Sequence, residues 1–136
     1  MLPLSLWTAS LRRYAMLNDL ASDKYKRIYI ACGYTDLRYG IDGLAAVVKE
    51  RFSLDPFERD ILFLFCGRRA DRIKGLLWEG DGFLLLYKRL EGGNFQWPRS
   101  SDEALAMSNQ QYRWLMEGLS IHQKKAVKQI HPTHVR

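Results

Sequence analysis

Two periodicities run through the chain. Residues 25–32, Tyr-Lys-Arg-Ile-Tyr-Ile-Ala-Cys, are rich in β-branched and aromatic side chains and are closed by Gly33, which predicts a strand. Behind a capping oxygen from Thr35 or Asp36, Leu37, Ile41, Leu44, Val48 and Phe52 recur at spacings of four, three, four and four. That is one face of an amphipathic helix running to about Phe52. Gly40 and Gly43 each cost such a helix roughly 1 kcal/mol against alanine, so something is expected to pack closely against them. Asp55-Pro56 ends the segment with a turn.

Ile61 to Cys66 is apolar on both parities, the pattern of a central strand buried on both faces. Gly67-Arg68-Arg69-Ala70-Asp71 turns the chain. Arg72 to Trp78 and Phe83 to Leu90 then read as two strands around Glu79-Gly80-Asp81-Gly82, strong hairpin chemistry. After a turn at Gly92-Gly93-Asn94, Phe95 to Pro98 reads as a short edge segment. Ser108 followed by Gln111 is a capping-box signature ahead of Tyr112, Leu115, Met116 and Leu119, a second helix. The expected fold is a single α+β domain: a mainly antiparallel sheet, a helix after the first strand and a C-terminal helix packed on one side. Its expected limits are residues 22–120, with an N-terminal extension over 1–21 and a basic, flexible tail over 121–136.

The hairpin allows a sharper deduction. With a two-residue loop, either Gly80-Asp81 or Asp81-Gly82, even positions of the first strand oppose odd positions of the second, and directly opposed side chains share a face. One face collects Arg72, Lys74, Leu76 and Trp78 with Phe83, Leu85, Tyr87 and Arg89. The other collects Ile73, Gly75 and Leu77 with Leu84, Leu86, Lys88 and Leu90, and is mainly core. The first interleaves cations with aromatics, a pairing that holds phosphates while stacking on bases. The same residues also describe an ordinary half-buried sheet face with cation–π contacts, and both readings stand at this point. A three-residue loop would flip one strand and remove the argument.

Composition adds a sign to that face. The 136 residues are 47% hydrophobic, enough for one core, and their 21 basic against 15 acidic side chains leave +6. Residues 61–99 hold seven basic against four acidic groups, so the middle of the chain is one source of the excess. No apolar run reaches the roughly 18–20 residues of a bilayer span. Leu2 to Trp7 is apolar but too short and wrongly flanked for a secretory signal, so the expected location is the cytoplasm, where Cys32 and Cys66 would be reduced thiols. Met16, shortly before the first strand, suggests that the N-terminal extension reflects an upstream start.

Catalytic chemistry finds little purchase. The two cysteines and His122, His131 and His134 lack zinc-site spacing, so no metal or other cofactor is expected. Neither glycine-rich phosphate-loop pattern occurs. Asp36, Asp42, Asp71, Glu79 and Asp81 could include a metal-binding cluster for phosphoryl transfer. Local duties compete for most of them: Asp36 as a helix cap, Asp71 and Asp81 in turns, Asp42 paired with Arg38 four residues back.

Several stretches together resemble one family. They are Ala31-Cys32-Gly33-Tyr34-Thr35-Asp36-Leu37-Arg38 with Gly40-Ile41-Asp42-Gly43-Leu44, Asp55-Pro56-Phe57, Asp71-Arg72-Ile73-Lys74 and Trp78-Glu79-Gly80-Asp81-Gly82-Phe83. Tyr87-Lys88-Arg89-Leu90, Phe95-Gln96-Trp97-Pro98 and Trp114-Leu115-Met116-Glu117-Gly118 follow in order. Over about residues 26–120 the chain resembles the second-reading-frame accessory proteins (TnpB) of the insertion-sequence-66 transposable elements, a family unrelated to the RNA-guided nucleases of the same name. Tyr39, where Lys or Arg is expected, and Glu79, where Asp is usual, depart from the pattern. The resemblance implies a part in transposition beside a separate, larger transposase that carries the catalytic acidic residues.

The expected function is therefore a non-catalytic accessory of DNA transposition. Its expected partners are the DNA of the element's ends, the transposase and a second small accessory protein, with no membrane. Expected nucleic-acid contacts are Arg68, Arg69, Arg72, Lys74, Lys88 and Arg89, with Trp78 and Tyr87 stacking or packing; Lys88 lies on the nominal core face. A pure protein–protein adaptor is the alternative, and a cryptic metal-dependent nuclease a more distant one.

Overall fold

The computed structural model describes residues 25–99 and 103–123; the expected extension and nearly all of the expected tail lie outside these residues. Five strands form one sheet: β1 (Arg27–Ala31), β2 (Ile61–Cys66), β3 (Arg72–Trp78), β4 (Phe83–Arg89) and β5 (Ala104–Met107), in the order β4-β3-β2-β1-β5. Only β1 and β2 run parallel; the other pairings are antiparallel. A parallel pair needs a crossover. Here it is helix α1 (Ile41–Ala46), which continues as one π-helical turn, Val47–Arg51. A second helix, α2 (Asn109–Met116), follows β5. The fold is α+β, with the sheet mainly antiparallel and the helices where the sequence puts them.

β2 is the middle strand and all six of its residues are buried, as an unbroken apolar run requires. Its even residues, Leu62, Leu64 and Cys66, join Ile28, Ile30 and Ile73 beneath α2, whose Tyr112 and Leu115 close that layer. Its odd residues, Ile61, Phe63 and Phe65, pack with Leu76, Phe83 and Leu85 beneath α1 through Leu44 and Val48. Both sheet faces are thus core. Ile121, the first residue of the expected tail, is itself buried in the α2 layer.

Four local expectations need correction. The first helix starts at Ile41 with Gly40 at its N-cap, and no side chain caps it. Asp36 is spent on a tighter turn instead: its Oδ1 accepts the Arg38 backbone N–H at 2.9 Å, and its carboxylate takes the Arg38 guanidinium at 2.6 Å. Arg38 is accordingly paired with Asp36 and not with Asp42. Of the two glycines, Gly43 has the expected close neighbour, since a Cβ there would lie 2.9 Å from Tyr39 Cβ, whereas Gly40 has open space. Residues 95–98 form no strand: Phe95 and Trp97 turn into the core, and the Trp97 indole N–H donates to the Ala31 carbonyl at 2.9 Å. The edge beside β1 is instead β5, whose four residues Ala-Leu-Ala-Met are too short and too weakly alternating to announce a strand. The capping box of α2 is present as read, with Ser108 Oγ accepting from Gln111 N at 3.1 Å and Gln111 Oε1 accepting from Ser108 N at 2.9 Å.

Candidate nucleic-acid interface

The hairpin has a two-residue loop. Glu79 N–H donates to the Gly82 carbonyl at 2.9 Å around Gly80-Asp81, and Gly80 takes φ +95°, a left-handed value that its missing Cβ permits. The register follows: Arg72 opposes Arg89, Lys74 opposes Tyr87, Leu76 opposes Leu85 and Trp78 opposes Phe83. Ladder bonds join 79 with 82 and 71 with 90, so the pairs between them with even β3 positions are the closely spaced, non-hydrogen-bonded ones.

This face does not act as one surface. Its middle, Leu76, Phe83 and Leu85, is roofed by α1. At the turn end Trp78 packs edge-on against Phe57 and Phe83, with ring centroids 5.2 and 4.9 Å away. Arg72, Lys74, Tyr87 and Arg89 emerge at the opposite end. Six residues of strand, about 20 Å, separate Trp78 from Arg72, so the two ends are distinct sites.

At the cationic end the sheet corner meets two loops and leaves an open cleft of about 500 Å³. Arg72 and Tyr87 supply the sheet wall, residues 34–38 after β1 a second wall, and Gly67, Arg68 and Arg69 after β2 the third. Arg38, Arg68, Arg69 and Arg72 all line it, against one carboxylate, Asp36. The guanidinium of Arg68 lies 4.8 Å above the Tyr34 ring and donates to its hydroxyl at 3.1 Å. Tyr34 and Tyr87 remain 50% and 53% exposed. The Arg38 guanidinium, through its hydrogen bonds, holds the Asp36 carboxyl down at about 2. Arg72 likewise bonds the Asp71 carboxylate at 3.2 Å and lowers it.

Two residues whose part in the cleft sequence reasoning missed hold it together: Arg99, and Thr35, read from sequence only as a candidate helix cap. Arg99 donates to the carbonyls of Gly33 at 2.9 Å, Gly67 at 2.7 Å and Arg68 at 3.2 Å, clasping two walls with one planar fork. Thr35 joins the same walls through its N–H to the Cys66 carbonyl at 2.8 Å. Its side chain is buried, and its hydroxyl has no hydrogen-bond partner among the described residues. Neither role leaves a periodic trace, because each is made with backbone atoms of segments distant in sequence.

Of the eight residues singled out from sequence, Arg68, Arg69, Arg72 and Tyr87 line the cleft. Lys74 borders it: its ammonium donates to the Tyr39 carbonyl at 2.9 Å and lies 5.9 Å over the Tyr87 ring. Arg89, opposite Arg72, is bound to Glu91 at 2.9 Å. Lys88 opposes Ile73 and therefore points to the α2 side, away from the cleft. Trp78 belongs to the aromatic cluster at the other end. Burial pushes the Cys66 thiol up to about 11, although the nearby Arg99 cation opposes the shift. Among the described residues no group of three or more His, Cys, Asp or Glu side chains is placed to hold a metal ion, and no helix is long and apolar enough to cross a membrane.

The model of the family described as IS66 Orf2-like protein matches residues 26–126. Two proteins of Sinorhizobium fredii (strain NBRC 101917 / NGR234) are similar to the chain. Uncharacterized protein y4hO is 38% identical over 100 residues, 74% of this chain and 86% of the relative. Uncharacterized protein y4jC is 38% identical over 109 residues, 80% of this chain and 92% of the relative. No solved structure matches.

Proposed function

The chain belongs to the family of IS66 Orf2-like proteins, and on that premise we propose that it is an accessory of DNA transposition that grips the phosphates of the element's DNA in its arginine cleft. One observation carries the reading: four arginines from three separate segments converge on a single cleft that holds one carboxylate. Guanidinium groups are suited to phosphate, because their planar donors match two of its oxygens at once. The reading gives this chain no bond-breaking step; strand cleavage and joining belong to the large transposase. Binding of terminal-repeat DNA at low salt, weakened by Arg68→Ala and Arg69→Ala, is the expected result. Undiminished binding by the double variant, or none by the parent protein, removes the proposal.

A second reading rests on the far end of the hairpin. Phe57, 57% exposed, packs with Trp78 and Phe83 into a surface aromatic cluster. Such clusters anchor protein partners. In this reading the cluster docks the transposase, or the second accessory protein, while the cleft faces DNA. Co-purification with the transposase that survives Arg68→Ala but fails on Phe57→Ala and Trp78→Ala is its signature.

A further inference from the structure

We infer that the cleft is built for DNA whose bases are unpaired, so that it takes single-stranded DNA in preference to duplex. This rests on the DNA-binding reading above and narrows its substrate. A duplex presents phosphates on a convex surface with the bases stacked inside, and is held by exposed cations without any need for a walled recess. The cationic residues here line a recess of about 500 Å³ whose walls also carry two half-exposed tyrosines, Tyr34 at 50% and Tyr87 at 53%.

Both tyrosine rings are pre-positioned. Arg68 stacks over Tyr34 at 4.8 Å and bonds its hydroxyl at 3.1 Å, while the Lys74 ammonium lies 5.9 Å over the Tyr87 ring. Each ring is thus paired with a cation and still half open to solvent. Aromatic faces beside backbone-tracking cations are the arrangement that binds single strands, because every base has a π-face to stack. A duplex keeps those faces covered and gains nothing from the tyrosines.

The test is fluorescence anisotropy of the full chain with labelled oligo(dT) and with a duplex of equal length at low salt. Oligo(dT) is expected to bind about tenfold or more tightly than the duplex, the scale of one stacked base. Tyr34→Ala and Tyr87→Ala are each expected to lower oligo(dT) affinity about tenfold and to lower duplex affinity by less, so that the preference for oligo(dT) shrinks. Tyr34→Phe and Tyr87→Phe keep the ring and should retain the preference, and they serve as the folded control if an alanine variant fails to fold. Equal or tighter duplex binding, or a preference indifferent to both alanine substitutions, overturns this inference and leaves the DNA-binding reading standing. Absence of binding to either probe overturns both.

Discussion

Arg72 and Arg89 stand directly opposite each other across β3 and β4, in a non-hydrogen-bonded position where side chains come closest. Like charges so placed oppose strand pairing. Each is partly relieved by its own carboxylate, Asp71 at 3.2 Å and Glu91 at 2.9 Å. Three further arginines, Arg38, Arg68 and Arg69, line the cleft beside Arg72.

Arg89→Thr tests that relationship. Threonine suits a strand and removes the like charge, so Tm should stay the same or rise slightly while affinity for DNA falls. A clear loss of Tm, measured by thermal denaturation, would show that the Glu91 pair outweighs the repulsion.

The hairpin register, on which the whole placement depends, has its own test. At Gly80, φ +95° is unfavourable for any residue with a Cβ, and an added Cβ would also lie 3.3 Å from the Arg59 guanidinium. Gly80→Ala should therefore cost about 1–2 kcal/mol. Gly82→Ala meets nothing within 4 Å and should stay within about 0.5 kcal/mol of the parent. Equal effects in urea denaturation would contradict a loop centred on Gly80-Asp81.

What the sequence discloses and what it withholds divide along physical lines. Period-two and capping signals are local, so β2, the hairpin and the Ser108 cap are legible, and strand parity alone places Arg72, Lys74, Tyr87 and Arg89 on one face. Parity does not say what covers a face. Leu76 and Leu85 lie under α1, which turns an apparent surface into a core with a cationic corner. Nor does local patterning disclose bonds to distant backbone. Arg99 reaches Gly33 across 66 positions and makes the cleft from segments that no motif joins.

Arg99 is thus a positioning residue. Arg99→Met loses its hydrogen bonds to three carbonyls and should lower stability by about 1–2 kcal/mol. It should also weaken DNA binding more than removal of a single exposed cation elsewhere. Arg99→Lys should rescue little, because a single ammonium lacks the fork that spans Gly33 and Gly67. Full rescue by lysine would reduce the role of Arg99 to charge.

Asp36 supplies a pH dependence with a definite sign. Its folded pKa of about 2 lies below the ordinary 3.8, chiefly because Arg38 hydrogen-bonds the carboxylate. The pairing therefore stabilises the folded protein fully above pH 4, and that stabilisation is lost as pH falls toward about 2. The Asp36 side-chain carboxyl followed by NMR should titrate near 2, and Asp36→Asn should remove that step. A midpoint near 4 would show the Arg38 pair to be absent in solution.

The salt dependence of DNA affinity measures the central claim most directly. If cleft arginines neutralise phosphates, log K for terminal-repeat DNA falls linearly with log salt, with a slope of about −3 or steeper for a cluster of this size. Arg68→Ala, Arg69→Ala and Arg72→Ala should each flatten that slope by about one, and Lys88→Ala, on the other side of the sheet, should leave it unchanged. A slope indifferent to the three arginines, or flattened equally by Lys88→Ala, would contradict the assignment of the DNA site to this cleft.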